Sequence, residues 1–398
     1  MKKTTLCAIR LCAAFGILTP TLAAMATPTP DAVVPKNGPK DIFVFFDGTK
    51  NTPTSSTNVF RLYQRIADDN KPGTVARYFT GVGTTRNPLS GAALGKDMED
   101  KILDGYGFLA GNYQAGDRIF IFGFSRGAHQ ARALAGLVAY AGIQPDDDRD
   151  RRLKRMSNRI LELVKSRSDA DFVDRWKTWS PSATPLLSPD IKDALGVDTR
   201  PAQVTFLGVW DTVPGSSLKN YGVCKEKPDH TTGDRYKSDS YPPIKVIAHA
   251  LAADEKRSMF RPILLCPPIE SSEPTQVIEK WFPGAHSDVG GGYEEGTGLQ
   301  NISLNWMIEQ LSSHYAFREH PATVAENALD VAHWSIGDHE GNALSRCEDR
   351  TIPPGADRSD AIAQRTAEKT VPLLAFGEKV PRQLSYPLSC KDLGKKPN

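Results

Sequence analysis

The sequence predicts an α/β protein with a mostly parallel sheet flanked by helices. Two observations lead there. Short continuous apolar runs, such as "DIFVFFDG" from Asp41 and "RIFIFGFS" from Arg118, are bounded by Asp, Gly and Ser. Apolar runs that do not alternate with polar residues fit strands buried on both faces. Those runs alternate along the chain with stretches of helical spacing, which is how helices come to cover both faces of a parallel sheet. The composition agrees: 39% hydrophobic and 24% charged residues over 398 positions suit one large core with an appended lobe. A net charge of +2 gives no reason to propose a nucleic-acid partner.

Residues 1–26 carry Lys2, Lys3 and Arg10, then the apolar stretch "LCAAFGIL", then "AMA" before a Pro-rich run. This pattern reads as a signal peptide, so the protein is expected to be exported, to the periplasm or outside the cell. The apolar stretch is too short to span a membrane, which takes roughly 20 residues. A Pro-rich leader covers 27–40 and the main domain 41–336. Strands are expected at "DIFVFF", "VARYFTG", "RIFIFGF", "VTFLGVWD" and "VIEKWF", with helices over Asn58–Ile66, Met98–Tyr113, Gly127–Tyr140 and Leu299–Leu311. "IAHALAADEKR", containing His249, has a helical pattern. The charged segment from Asp146 to Pro201 includes a helix over Leu153–Val164 and reads either as a solvated surface helix or as a cap over an active site. Its basic cluster, Arg149, Arg151, Arg152, Lys154 and Arg155, could approach anionic head groups in a peripheral membrane contact, opposed by its acidic neighbours. The tail 337–398 has no assignable role.

Export bears on the cysteines. Cys224, Cys266, Cys347 and Cys390 fit no zinc motif, and an oxidising compartment favours bridges. Sequence order suggests Cys224–Cys266 and Cys347–Cys390, with free thiols as the alternative.

Within "GFSRGAHQARALAG", Ser125 lies between Gly123 and Gly127, after a strand and before a helix. In that context G-x-S-x-G presents a serine on a sharp strand-to-helix turn, and the N–H of Arg126 points where an oxyanion forms. A Gly-flanked structural turn is the alternative. The hydroxyl needs a base. His286, in "WFPGAHSDVGGGY", follows a strand and precedes glycines that suit a loop crossing a cleft. Asp211 closes an apolar strand and is the expected orienting acid. Capping of the next turn is its alternative role, and Asp288 is the competing acid. The second oxyanion donor is expected at Gly48 or Thr49, in a loop held by Asp47. That loop also suggests a D-x-D-G-T phosphatase, but Phe45 occupies the nucleophile position.

The blocks "FDGTKNT", "FGFSRGAHQARALAG", "LGVWDTV", "HALAADEKRSMFRP" and "HSDVGGGY" occur in the order found in a family of bacterial and fungal α/β-hydrolase domains. The chain resembles the catalytic domain of type VI secretion phospholipase effectors over about Asp41 to Tyr315. The resemblance implies an α/β-hydrolase fold and cleavage of lipid esters without a metal or other cofactor. It places the catalytic roles on Ser125, Asp211 and His286. A soluble small-ester esterase and a non-catalytic binding or immunity-type protein are the alternatives, and the sequence does not identify a protein partner.

Overall fold

A computed structural model describes residues 38–84, 91–146, 150–167, 173–213, 240–334, 346–375 and 378–393, without the side chains of 91–94, 150–151, 173–174 and 392–393. The five expected strands form β1 (Asp41–Phe46), β2 (Thr74–Phe79), β3 (Arg118–Phe124), β4 (Val204–Trp210) and β6 (Gln276–Phe282), and a further strand, β5 (Val246–Ala252), lies between the last two. They make one sheet in the order β2-β1-β3-β4-β5-β6, with every pairing parallel. The helices are α1 (Asn58–Asp69), α2 (Gly91–Asn112), α3 (Arg126–Ala141), α4 (Asp150–Arg167), α5 (Val173–Trp176), α6 (Ser188–Leu195), α7 (His286–Gly290), α8 (Gly298–Ser312), α9 (Asp360–Glu368) and α10 (Cys390–Leu393).

Successive residues of a strand face opposite sides, and both sides here are packed. Phe43, Phe45, Phe120, Phe122 and Phe206 join Leu62, Ile66, Leu304 and Met307 of α1 and α8 in one core layer. Ile42, Val44, Phe46, Ile119 and Ile121 join Tyr106, Leu134 and Val138 of α2 and α3 in the other. The register sets Phe43 beside Phe120, and their rings stack at 4.4 Å. A stacked pair of this kind adds about 0.5–1.5 kcal/mol beyond area burial.

β5 corrects the expectation of a helix at "IAHALAADEKR". A short Ala-rich apolar run has no period to separate helix from strand. Burial of all seven residues in the sheet decides for strand. The helical insertion is present as α4–α6. Its apolar residues Ile160, Leu161 and Val164 enter the core layer of α2 and α3, and Lys154 pairs with Asp104 at 3.1 Å.

The tail adds β8 (Thr370–Ala375) and β9 (Arg382–Ser385), which with β7 (Ala332–Trp334) of the main domain form a three-stranded sheet. The tail also lies along the β6 edge, where the Trp281 N–H donates to the Asp357 carbonyl at 3.0 Å. Cys347 and Cys390 are disulfide-bonded with Cα atoms 5.8 Å apart. Cys266 is disulfide-bonded as well, and Cys224 lies outside the described residues. So do the proposed signal segment 1–26 and most of the leader. Among the described residues no helix is long and apolar enough to cross a membrane.

Candidate active site

The sheet order reverses between β1 and β3, the point where open α/β sheets form a crevice at the carboxyl ends of their strands. Ser125 follows β3 there, with φ 60° and ψ −125°. A left-handed φ is unfavourable for a residue with a Cβ and needs support from its surroundings. Support comes from the Ser125 N–H, which donates to the Trp210 carbonyl of β4 at 3.0 Å. Both flanking glycines are sterically required. A Cβ on Gly123 would lie 2.3 Å from the Gly127 carbonyl oxygen, and one on Gly127 2.2 Å from that of Phe46. The turn therefore fits only if both side chains are missing.

Asp211 follows β4 and His286 opens α7 after β6. The histidine begins a short helix rather than the expected loop. Its Nδ1 lies 2.6 Å from Asp211 Oδ2. Phe124 and Phe260 pack on its ring at 4.6 and 4.9 Å. Nε2 is buried and makes no hydrogen bond among the described residues. Burial holds the imidazole below its ordinary pKa, although Asp211 pulls the other way. A neutral ring donating from Nδ1 leaves Nε2 as an acceptor.

Asp211 is fully buried. Its Oδ1 accepts from the Ala252 N–H at 3.0 Å and from Arg350 Nη1 at 2.6 Å. Oδ2 accepts from His286 and from Arg350 Nη2 at 2.9 Å. Burial works against the charge, but Arg350 and His286 together hold the carboxyl below the usual carboxylate range. Asp288, the competing acid, faces elsewhere. It accepts from His333 Nδ1 at 2.6 Å and from the Ala285 N–H at 2.8 Å. His249 is structural in geometry, held between Glu279 at 2.9 Å and Thr212.

The loop after β1 packs against the serine. A Cβ on Gly48 would stand 3.2 Å from Ser125 Cβ. Asp47 accepts from Thr57 and Tyr78 hydroxyls, both at 2.6 Å, and from Asn51 Nδ2 at 3.2 Å. It also accepts from the Gly48 N–H at 2.6 Å, which corrects the expectation that Gly48 supplies an oxyanion donor. The short acid takes the amide of the next residue, so that N–H is turned away from the serine. Thr49 remains as the candidate on this loop. Burial raises the Asp47 pKa against all four bonds.

Thr49, Ser125, Arg126 and His286 line one cavity of about 870 Å³. Its far wall comes from the tail and β7: His333, Trp334, Leu374, Ala375 and Glu378. Among the described residues none of the 146–201 insertion reaches it. Of the two readings of the insertion, the cap finds no support in this lining, and the tail, for which the sequence suggests no role, supplies part of the wall. Sequence reasoning also missed Arg350, Phe260 and the Tyr293–His333 stack, whose ring centroids lie 3.6 Å apart. A second cleft of about 730 Å³, between α8 and α9, contains none of the expected site residues.

The model of the T6SS Tle1-like phospholipase effector catalytic domain matches residues 40–310. An uncharacterized protein of Saccharomyces cerevisiae is 24% identical over 250 residues, covering 57% of this chain and 33% of its own length. A solved uncharacterized protein from Pseudomonas aeruginosa is 18% identical, covering 68% of this chain and 45% of that one, with a TM-score of 0.41. A Tle1 effector bound to the VgrG spike is 18% identical, with 66% and 52% covered and a TM-score of 0.31. Thermogutta terrifontis esterase 2 phosphorylated by paraoxon is 12% identical, with 72% and 88% covered and a TM-score of 0.35. The chain spans about a third of the yeast relative and about half of the first two solved structures. Matched by one family model from β1 through most of α8, it belongs to the family of the Tle1-like catalytic domain of type VI secretion phospholipase effectors.

Proposed function

We propose that the protein is an exported serine hydrolase that cleaves carboxylic esters of phospholipids. One observation carries the reading. A serine on a strained elbow opens onto the same cavity as a histidine whose Nδ1 is bound by a buried carboxylate and whose Nε2 has no hydrogen bond among the described residues. In this reading His286 Nε2 takes the Ser125 proton as Oγ attacks the ester carbonyl. The N–H groups of Arg126 and Thr49 receive the oxyanion. The proton then passes to the departing alcohol, and a water deprotonated by His286 releases the fatty acid. Export is supported by the signal-like segment 1–26 and by the Cys347–Cys390 bridge, which suits an oxidising compartment.

Phospholipid is favoured over a neutral ester by the charge in the cavity. Arg126 is half-buried there and has no acidic partner among the described residues, and burial lowers its pKa. Lys50 lines the same cavity, whereas the acid there, Glu378, is already bound by Arg382. A cation that has lost water without gaining a partner favours an anion.

The test is fluorophosphonate labelling and hydrolysis of phospholipid vesicles and of a short uncharged ester. Wild type is expected to be labelled at Ser125 and to prefer phospholipid. Ser125→Ala is expected to lose labelling and several orders of magnitude in kcat. Equal activity on both substrates would indicate a plain esterase, and an unlabelled wild type a non-catalytic protein.

A further inference from the structure

We propose that Arg350, supplied by the tail, is a positioning residue for this reaction: it fixes Asp211 beneath His286 and shares the carboxylate's charge. The inference rests on the serine-hydrolase reading above.

The geometry is that of a two-pronged clamp. Arg350 donates to both Asp211 oxygens, at 2.6 and 2.9 Å, and also to the Ala252 carbonyl at 2.6 Å and the Phe260 carbonyl. A carboxylate offers about four acceptor sites. Here Ala252, His286 and two guanidinium bonds fill them, so Asp211 has one orientation. Bidentate pairing specifies direction as well as charge. The same arginine holds Phe260, which packs edge-on against the His286 ring. Ring and carboxylate are thus set by one side chain.

The clamp is itself anchored. The Glu348 N–H donates to the Lys256 carbonyl at 2.7 Å, and Lys256 pairs with Asp349 at 3.0 Å. The Cys347–Cys390 bridge closes the same short segment. Arg350 is not among the residues that line the cavity of Ser125 and His286, so it acts through Asp211.

Electrostatics give the role a signature. A carboxylate shared with a guanidinium stabilises an imidazolium less than an unshared one. Glu255, which accepts the His286 backbone N–H at 3.2 Å, and Arg257, which binds Glu255, also act on the ring and stay in place; removing Arg350 leaves the whole Asp211 charge facing His286, which favours the protonated ring. The histidine should then titrate at higher pH, and the acid limb of kcat/KM should move up with it. Simple loss of folding stability would not shift that limb.

The experiment follows His286 by nitrogen-15 NMR across pH in wild type, Arg350→Gln and Arg350→Lys, beside steady-state kinetics and the rate of fluorophosphonate labelling. Arg350→Gln is expected to raise the His286 titration point and to lower kcat about 10–100-fold, with KM little changed. Arg350→Lys keeps the charge but not the fork, so the titration stays near wild type while kcat falls. An unmoved titration in Arg350→Gln would overturn the proposal. Should that variant fail to fold, a wild-type kcat in Arg350→Lys would overturn it as well. Failure of wild type to label would instead sink the hydrolase reading, and the titration would still decide whether Arg350 acts on the Asp211–His286 pair.

Discussion

Asp47 and Asp211 end the two strands that flank the serine strand β3, and neither exposes any surface. The fold nevertheless treats their charges oppositely. Asp47 is surrounded by neutral donors, and burial outweighs them, so its carboxyl titrates above the usual range. Asp211 meets a cation and an imidazole, which outweigh burial and hold it below that range. An acid at the end of a buried strand is therefore no sign of catalysis by itself. The charge of its partners decides whether it anchors a loop or serves a histidine.

Isosteric replacement should separate the two roles most sharply. Asp211→Asn is expected to lower kcat about 10⁴-fold, because the amide no longer holds the Nδ1–H tautomer. Asp47→Asn should cost less than about tenfold in kcat but about 1–3 kcal/mol in stability, since a buried donor loses its acceptor. Ester hydrolysis and urea unfolding on both variants check this. Comparable kcat losses would place Asp47 in the chemistry and end the contrast.

The opposite shifts also predict opposite pH dependence. The depressed pKa of Asp211 contributes stability that is present above its unfolded pKa of about 4 and lost as pH falls through the folded value. The raised pKa of Asp47 contributes stability that is present below about pH 4 and lost as pH rises through its folded value. Wild type should thus gain on Asp211→Asn as pH rises, and its advantage over Asp47→Asn should shrink. Unfolding free energies measured from pH 3 to 7 would show the two trends. Trends of the same sign would mean that the two carboxylates are not in opposite states.

Local chemistry explains which parts of this site could be read in advance. Gly123 and Gly127 are demanded by backbone atoms within a few residues of Ser125 or at the adjoining strand end, so their spacing shows in the sequence. The continuous apolar runs around Phe43 and Phe120 are equally local. Arg350 reaches Asp211 across 139 residues, and such a contact leaves no period and no spacing to find. Its one nearby cue is Cys347. The charged segment holding α4 read as a solvated surface helix or a cap, and the packing of its apolar residues on α2 and α3 is another long-range contact without a local mark. The direction of the Gly48 amide is not legible in the sequence because it depends on which acceptor is nearest, and Asp47 is its neighbour. His249 sits in a run whose Ala content suits helix intrinsically, a preference that sheet burial overrides.

The smallest predicted effect probes the Asp47 side alone. Tyr78 and Thr57 hydroxyls both donate to Asp47 Oδ2 at 2.6 Å. Tyr78→Phe removes one and leaves the other on the same oxygen, so the acid stays satisfied and the loss should be about 0.5–1.5 kcal/mol. Thr57→Ala should cost more, because Thr57 also caps α1 by accepting from the Phe60 N–H at 3.3 Å. The double variant strips Oδ2 of both hydroxyls and should lose more than the sum of the singles, as expected for two donors sharing one acceptor. In none of these variants should the His286 titration move, since neither hydroxyl contacts Asp211. Urea unfolding of the three variants, with the histidine followed by NMR, makes the comparison. A shifted histidine in Tyr78→Phe would show that the two carboxylates are coupled through the β1–β3–β4 strand ends, and that the loop anchor is part of the catalytic electrostatics.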